Sequence, residues 1–171
     1  GLLMLSGDLP NGKGGKGLHY AIVAKPYLLH GGKVISRGNE LLIVNASVIQ
    51  ILIAHNTNYY NPQLSLVEEG IDQIMTAAGT SPAALECDHR QAFAESMTRV
   101  QMRIGNAGSM AEGLPIDQRL AAYHKNPAAD PNLATLYMQF GRYLLLSSTR
   151  PGALPPNLQG LWTNLVQAPW N

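Results

Sequence analysis

Cysteine is almost absent from this 171-residue chain. Cys87 stands alone, which excludes an internal disulfide framework and any cysteine-rich zinc site. Charge is scarce as well: charged residues make up 13% of the chain, and 12 Lys and Arg against 11 Asp and Glu leave a formal net charge of +1. With the basic residues scattered, no stripe exists to neutralise phosphates and no tail to lie on a membrane, so neither nucleic acid nor a membrane is expected as a partner. No run approaches the ~18 apolar residues of a membrane span. The chain opens on GLLMLSG without an initiating Met, a basic n-region or a cleavage site, so its compartment is not readable from its start. Apolar residues, by contrast, make up 46%. That is enough for a packed core, and the length suits an ordinary domain of roughly 100–200 residues.

The hydrophobic pattern changes period once, from twos to threes and fours, and that change sets an α+β expectation. Leu18 to Lys25, Tyr27 to His30, Lys33 to Ser36, Leu41 to Val44 and Val48 to His55 are short runs rich in Val, Ile, Leu and Tyr. Gly31-Gly32 suits a two-residue hairpin loop and Arg37 to Glu40 a slightly longer one, which predicts an antiparallel meander over residues 1–57. Ile49, Ile51 and Ile53 alternate with Gln50, Leu52 and Ala54, so both strand faces are mostly apolar and the sheet is expected to be covered on both sides. Strands that begin at Gly1 would leave unpaired edges, and further strands upstream are therefore expected.

Beyond Asn61-Pro62 the spacing is helical. Ser65 and Glu68 form a capping-box signature for a helix to about Ala78. Ser81-Pro82 opens a second helix to about Thr98, with Leu85, His89, Phe93 and Met97 in line at spacing four. Val100, Met102 and Ile104 alternate with polar residues and predict a short strand, followed by a loop over 105–113. Asp117 is a cap for a short helix over 118–124. Asp130-Pro131 starts a helix over 131–148 whose wide apolar face (Leu133, Leu136, Tyr137, Phe140, Tyr143, Leu144) predicts burial.

Few side chains present catalytic chemistry. The glycine-rich PNGKGGKG at 10–17 leads into a strand rather than a helix, so it reads as a connection between strands and not as a phosphate loop. Asn45-Ala46-Ser47 matches the glycosylation acceptor pattern, but beside a strand it carries little weight. The histidines show no ligand spacing, so no metal is expected, and no cofactor motif is present. No Gly-x-Ser-x-Gly elbow occurs and Cys87 lacks a nucleophile signature. Asp117, Asp130, Glu68, Asp88 and Glu86 all fit helix caps or exposed helix positions, which leaves no catalytic carboxylate.

The segment 151–171, PGALPPNLQGLWTNLVQAPWN, is different. Asn157, Gln159, Trp162, Asn164, Gln167, Trp170 and Asn171 combine aromatic faces, on which sugar C–H groups stack, with amides that donate to and accept from hydroxyls. The same composition also suits a loop whose amides bind backbone and whose tryptophans plug a core. Both readings stand on composition.

Residues 130–171 resemble a stretch of the fucosidases of glycoside hydrolase family 95 that reads, in outline, D-P-x-L, F-G-R-Y-L-L, S-R-P-G, P-x-N-L-Q-G-x-W and P-W-N, with Thr149 standing where serine is common. LPIDQRL at 114–120, and HRQAF followed by RVQMRIG, are similar to the stretches before it. The resemblance implies a fragment of a multidomain protein: residues 1–57 as the end of an N-terminal β-sandwich, 58–128 as a mainly helical linker, and 129–171 as the opening of an (α/α)6 catalytic barrel. It also implies removal of terminal α-L-fucose, α-1,2-linked, from oligosaccharides with inversion, in a secreted or periplasmic setting. Asn157, Gln159, Trp162, Trp170 and Asn171 would then contact substrate. The partners implied are a fucosylated oligosaccharide and the remainder of the same polypeptide. The family's catalytic His-x-Asn-x-Asn run follows P-W-N, so no catalytic residue carries over. The alternatives are a non-catalytic carbohydrate-binding or structural piece, and α-L-galactosidase specificity within the same family.

Overall fold

A computed structural model describes residues 1–105, 110–149, 152–156, 158 and 160–165. The chain divides into two units, Gly1–His89 and Arg90–Asn171. In the first, β1 (Leu3–Pro10), β2 (Lys16–Arg37) and β3 (Glu40–Thr57) form a three-stranded antiparallel sheet in the order β1-β2-β3. The PNGKGGKG stretch supplies the β1–β2 hairpin loop, consistent with its lead into a strand.

The strands are fewer and longer than the turn signals implied. Gly31 and Gly32 take positive φ (67° and 85°), but they form a bulge inside β2 rather than a hairpin, with the register to β3 shifting between Leu28 and Gly31. A Cβ on Gly32 would lie 2.7 Å from the Cβ and backbone nitrogen of Ala46, so glycine answers both a dihedral and a steric demand there. The hairpin turn sits at Gly38-Asn39, where Arg37 pairs with Glu40 and the loop is two residues long, not longer.

The helix α1 (Leu66–Ala78) packs across one sheet face. Leu66, Gly70 and Ile74, spaced by four, are its buried residues, and Ile74 meets Val23 (1% exposed) and Ala54 in the core. Gly70 allows this approach, since a Cβ there would stand 3.0 Å from Val23 Cγ2. The Asn56 and Gln73 side-chain amides meet and tie β3 to α1. The capping box does not form. Ser65 is extended and makes no side-chain cap, although its carbonyl accepts the ordinary first helical bond from the Glu69 amide at 3.0 Å.

Only one face of the sheet is covered within this unit. Leu3, Leu5, Ile22, Ile49, Ile51 and Ile53 form the opposite face and are exposed, Ile53 by 65%. The alternation of β3 reported two apolar faces correctly, but an apolar side chain reveals its preference and not whether a neighbour meets it.

The second helix, α2 (Pro82–Met97), is capped by Ser81 Oγ, which accepts from the Ala84 amide at 3.2 Å. It is followed by α3 (Ile116–Lys125) and α4 (Asn132–Ser148), with 3-10 turns at Met110–Gly113, Pro127–Ala129 and Gly160–Trp162. The short strand expected at 100–104 is absent: the segment has no strand partner, and side chains of α4 take its first carbonyl. The start of α3 lies at Pro115 and Ile116, so Asp117 falls inside its first turn and is not its cap. The broad apolar face of α4 is not buried in its unit. Leu136, Tyr137, Phe140, Tyr143 and Leu145 are exposed, Tyr137 by 81%, and Leu133 and Ser148 are its buried residues.

Candidate functional site

In the second unit, polar side chains from separate segments converge on Asp130. The Arg119 guanidinium donates from Nε to Asp130 Oδ2 (2.9 Å) and from Nη2 to Asp130 Oδ1 (3.0 Å), a two-point pairing of planar groups. Asp130 is 1% exposed and Arg119 is buried with it. The hydrogen bond to Asp130 raises the Arg119 pKa further above its ordinary value, against the opposing effect of burial. Beside this pair, Asn132 Nδ2 donates to Glu112 Oε1, which draws the Met110–Gly113 turn to the start of α4. Asp130 is not the cap that its place before Pro131 suggests: Pro131 itself stands at the start of α4, and the Asp130 carboxylate is committed to Arg119. A carboxylate paired at two points and shut away from solvent suits a structural anchor and not a proton donor.

Arg142 on α4 organises a second cluster. Its Nη1 donates to the carbonyls of Val100 (2.9 Å) and Met97 (3.2 Å) and to Gln139 Oε1 (2.6 Å), while Nη2 donates to the Ser96 carbonyl (3.3 Å). Gln139 Nε2 adds a bond to the Val100 carbonyl at 3.1 Å. A guanidinium at the C-terminus of α2 thus satisfies carbonyls that the helix leaves open and meets the negative end of its dipole. Phe93 and Tyr143 close the same junction, with ring centroids 5.3 Å apart.

Among the residues expected to meet sugar, Trp162 lies within the described residues. It ends the Gly160–Trp162 turn and is 54% exposed, so its indole does not plug the core of this unit. Nearby, Thr163 Oγ1 accepts from the Leu165 amide at 3.2 Å, and Asn164 is exposed. Asn157, Gln159, Trp170 and Asn171 lie outside the described residues.

In the first unit, the base of the β1–β2 hairpin carries charge. Asp8 bonds His19 Nδ1 through Oδ1 and Lys16 Nζ through Oδ2, both at 2.8 Å. Lys16 first, and His19 second, hold the Asp8 carboxyl below its ordinary pKa. In the adjoining loop, Asn11 Oδ1 accepts from the Lys13 and Gly15 amides (2.8 and 2.9 Å), so these amides are already satisfied and do not form a phosphate cradle. Among the described residues no group of three or more His, Cys, Asp or Glu side chains could hold a metal ion, and no helix is long and apolar enough to cross a membrane.

Residues 81–171, more than half of the chain, match the family model of the glycosyl hydrolase family 95 catalytic domain. The chain belongs to glycosyl hydrolase family 95. It is 28% identical over 167 residues to Alpha-L-fucosidase 2 of Arabidopsis thaliana, covering 91% of this chain and 20% of that protein. Probable alpha-fucosidase A of Aspergillus niger is 32% identical over 111 residues, covering 65% of this chain and 13% of the relative. The protein of the same name in Aspergillus oryzae is 29% identical over 105 residues, covering 60% and 14%. The chain therefore spans a fifth or less of the length of these curated relatives. Within this family 95 chain, the two arginine clusters join stretches that the sequence presents separately. Arg119 of LPIDQRL grips Asp130 of the Asp-Pro start, and Arg142 of FGRYLL holds the backbone at Ser96, Met97 and Val100. Sequence reading missed both partnerships because nothing in the spacing of an isolated Arg or Asp identifies its distant partner.

Proposed function

We propose that this family 95 chain is part of a glycoside hydrolase that removes terminal α-L-fucose, α-1,2-linked, from oligosaccharides with inversion. The observation that carries the reading is the catalytic-domain match over residues 81–171, and the names of the curated relatives support the sugar. Residues 1–57 are assigned to the end of a β-sandwich domain, 58–128 to a mainly helical linker, and 129–171 to the opening of an (α/α)6 barrel. In this proposal the described clusters serve as scaffold, since Asp130 and Arg142 are bound to structural partners. The proton donor and the group that activates water then lie outside residues 1–171, because inversion needs such a pair on opposite sides of the scissile bond.

Asn157, Gln159, Trp162, Trp170 and Asn171 are assigned to the sugar-binding end. Trp162 supports this by presenting an exposed indole face, on which the C–H face of a pyranose can stack. The test compares the 171-residue chain with the complete polypeptide that carries it, using 2'-fucosyllactose as substrate. The complete polypeptide releases L-fucose, seen first by NMR as the β-anomer, and the 171-residue chain releases none. Release of the α-anomer would overturn inversion, and turnover by the short chain would overturn the placement of the catalytic groups. Trp162→Ala in the complete polypeptide lowers kcat/KM roughly fivefold, the value of one stacking contact of ~1 kcal/mol. Unchanged kinetics would remove Trp162 from the site.

A further inference from the structure

A pair of aromatic rings stands on the surface of the first unit, where β3 leaves the sheet. Tyr59 and Tyr60 are 55% and 72% exposed, and their rings meet edge to face with centroids 4.9 Å apart. Adjacent tyrosines this exposed contribute little to folding, since most of their apolar area still faces water.

Polar groups lie beside them. Asn58, the residue before Tyr59, is bonded to His19 on both sides: its Oδ1 accepts from the His19 amide at 3.0 Å, and its amide donates to the His19 carbonyl at 3.1 Å. His19 in turn holds Asp8, and Asp8 holds Lys16. The pairing of Asn58 with His19 therefore brings the chain just before Tyr59 to the base of the β1–β2 hairpin, where His19 pairs with Asp8.

We propose that Tyr59 and Tyr60, together with Asp8, Lys16 and His19, form a glycan-contact surface. The ligand class is a neutral oligosaccharide. Each exposed ring offers a face for the axial C–H groups of a pyranose. The Asp8 carboxylate has about four acceptor positions and uses two, so it retains capacity for sugar hydroxyls. Lys16 has donors to spare, and its side chain is 83% exposed. The charges of Asp8 and Lys16 cancel, which removes the attraction that a polyanion such as nucleic acid or a sulfated polymer would require. A paired acceptor and donor beside an aromatic platform instead match a ligand that is polyhydroxylated and uncharged. The inference rests on the proposed reading of this chain as part of a glycan-acting protein, but it concerns binding and not turnover.

The test is a titration of the isotopically labelled 171-residue chain with 2'-fucosyllactose, with lactose as the unfucosylated probe and inorganic phosphate as the anion control. Ring resonances of Tyr59, Tyr60 and His19 shift in a saturable manner with the sugar and not with phosphate. This part needs no variant. Tyr60→Ala weakens the dissociation constant about fivefold, the value of one stacking contact, while Tyr60→Phe, which keeps the ring, binds within about twofold of wild type. Trp162→Ala leaves the shifts at Tyr59 and Tyr60 unchanged. The inference is overturned if those ring resonances do not respond to sugar, if Tyr60→Ala binds as wild type does, or if phosphate produces the same shifts. Each of these can occur while the complete polypeptide still releases fucose, so failure here is separable from failure of the hydrolase reading.

Discussion

At Asp130 one carboxylate holds two stretches of chain together, and its removal leaves the buried Arg119 guanidinium without its hydrogen-bonded carboxylate, with only the weaker field of Glu112 in its place. Breaking one side of a buried pair is more damaging than never having built it. Asp130→Ala therefore costs about 3 kcal/mol, read as a lowered urea midpoint for the second unit; a midpoint equal to that of the wild type would show that the pair is not structural. Asp8 makes a different prediction because its partners are exposed and screened by water. Its folded pKa is depressed below the ordinary value of 3.8 by the Lys16 hydrogen bond first and the His19 bond second. A depressed carboxylate stabilises the fold fully above its unfolded pKa, and that stabilisation is lost as pH falls through the folded value. The contribution of Asp8 to the β1–β2 hairpin should thus be constant above the ordinary carboxylate range and be lost below it. Amide exchange of residues 8–19 against pH, compared in wild type and Asp8→Asn, checks this, since the variant should lack the acid-dependent step.

Among the elements, α2 and α4 show how an end and a face acquire partners. The guanidinium of Arg142 reaches carbonyls of Ser96, Met97 and Val100, a fork that suits Arg and not Lys. Arg142→Ala should cost about 2 kcal/mol, the scale of hydrogen bonds to a charged group, and should raise amide exchange in the last turn of α2. Arg142→Lys should recover less than half of the loss. Full recovery by lysine would mean that charge alone, and not the fork, secures the helix end. The same contact explains why Val100 to Ile104 did not become a strand. Alternation was present in the sequence, but a strand needs a neighbour, and the Val100 carbonyl is occupied by Arg142 and Gln139. The α1 helix was legible from the spacing of Leu66, Gly70 and Ile74, whereas its capping box was not realised: the Ser65 side chain makes no bond to the first turn, and sequence spacing does not set a side-chain rotamer.

For the whole molecule, the sheet face bearing Ile49, Ile51 and Ile53 and the α4 face bearing Tyr137 and Phe140 leave large apolar areas exposed. Patches of this kind associate in water. The 171-residue chain should therefore elute larger as its concentration rises and bind a hydrophobic dye, and Ile51→Lys with Ile53→Lys should reduce both effects; concentration-independent elution of the wild-type chain would refute this. The sequence by itself determined the α+β order, the positions of α1, α2 and α4 to within a few residues, and the family motifs, because these depend on local period and on residue identity at fixed spacing. Only the tertiary structure decided that Gly31-Gly32 bends one strand instead of ending it, that Asp130 belongs to Arg119, and which apolar faces find a partner. Each of those outcomes depends on residues distant in the chain, and local spacing carries no information about which distant group arrives.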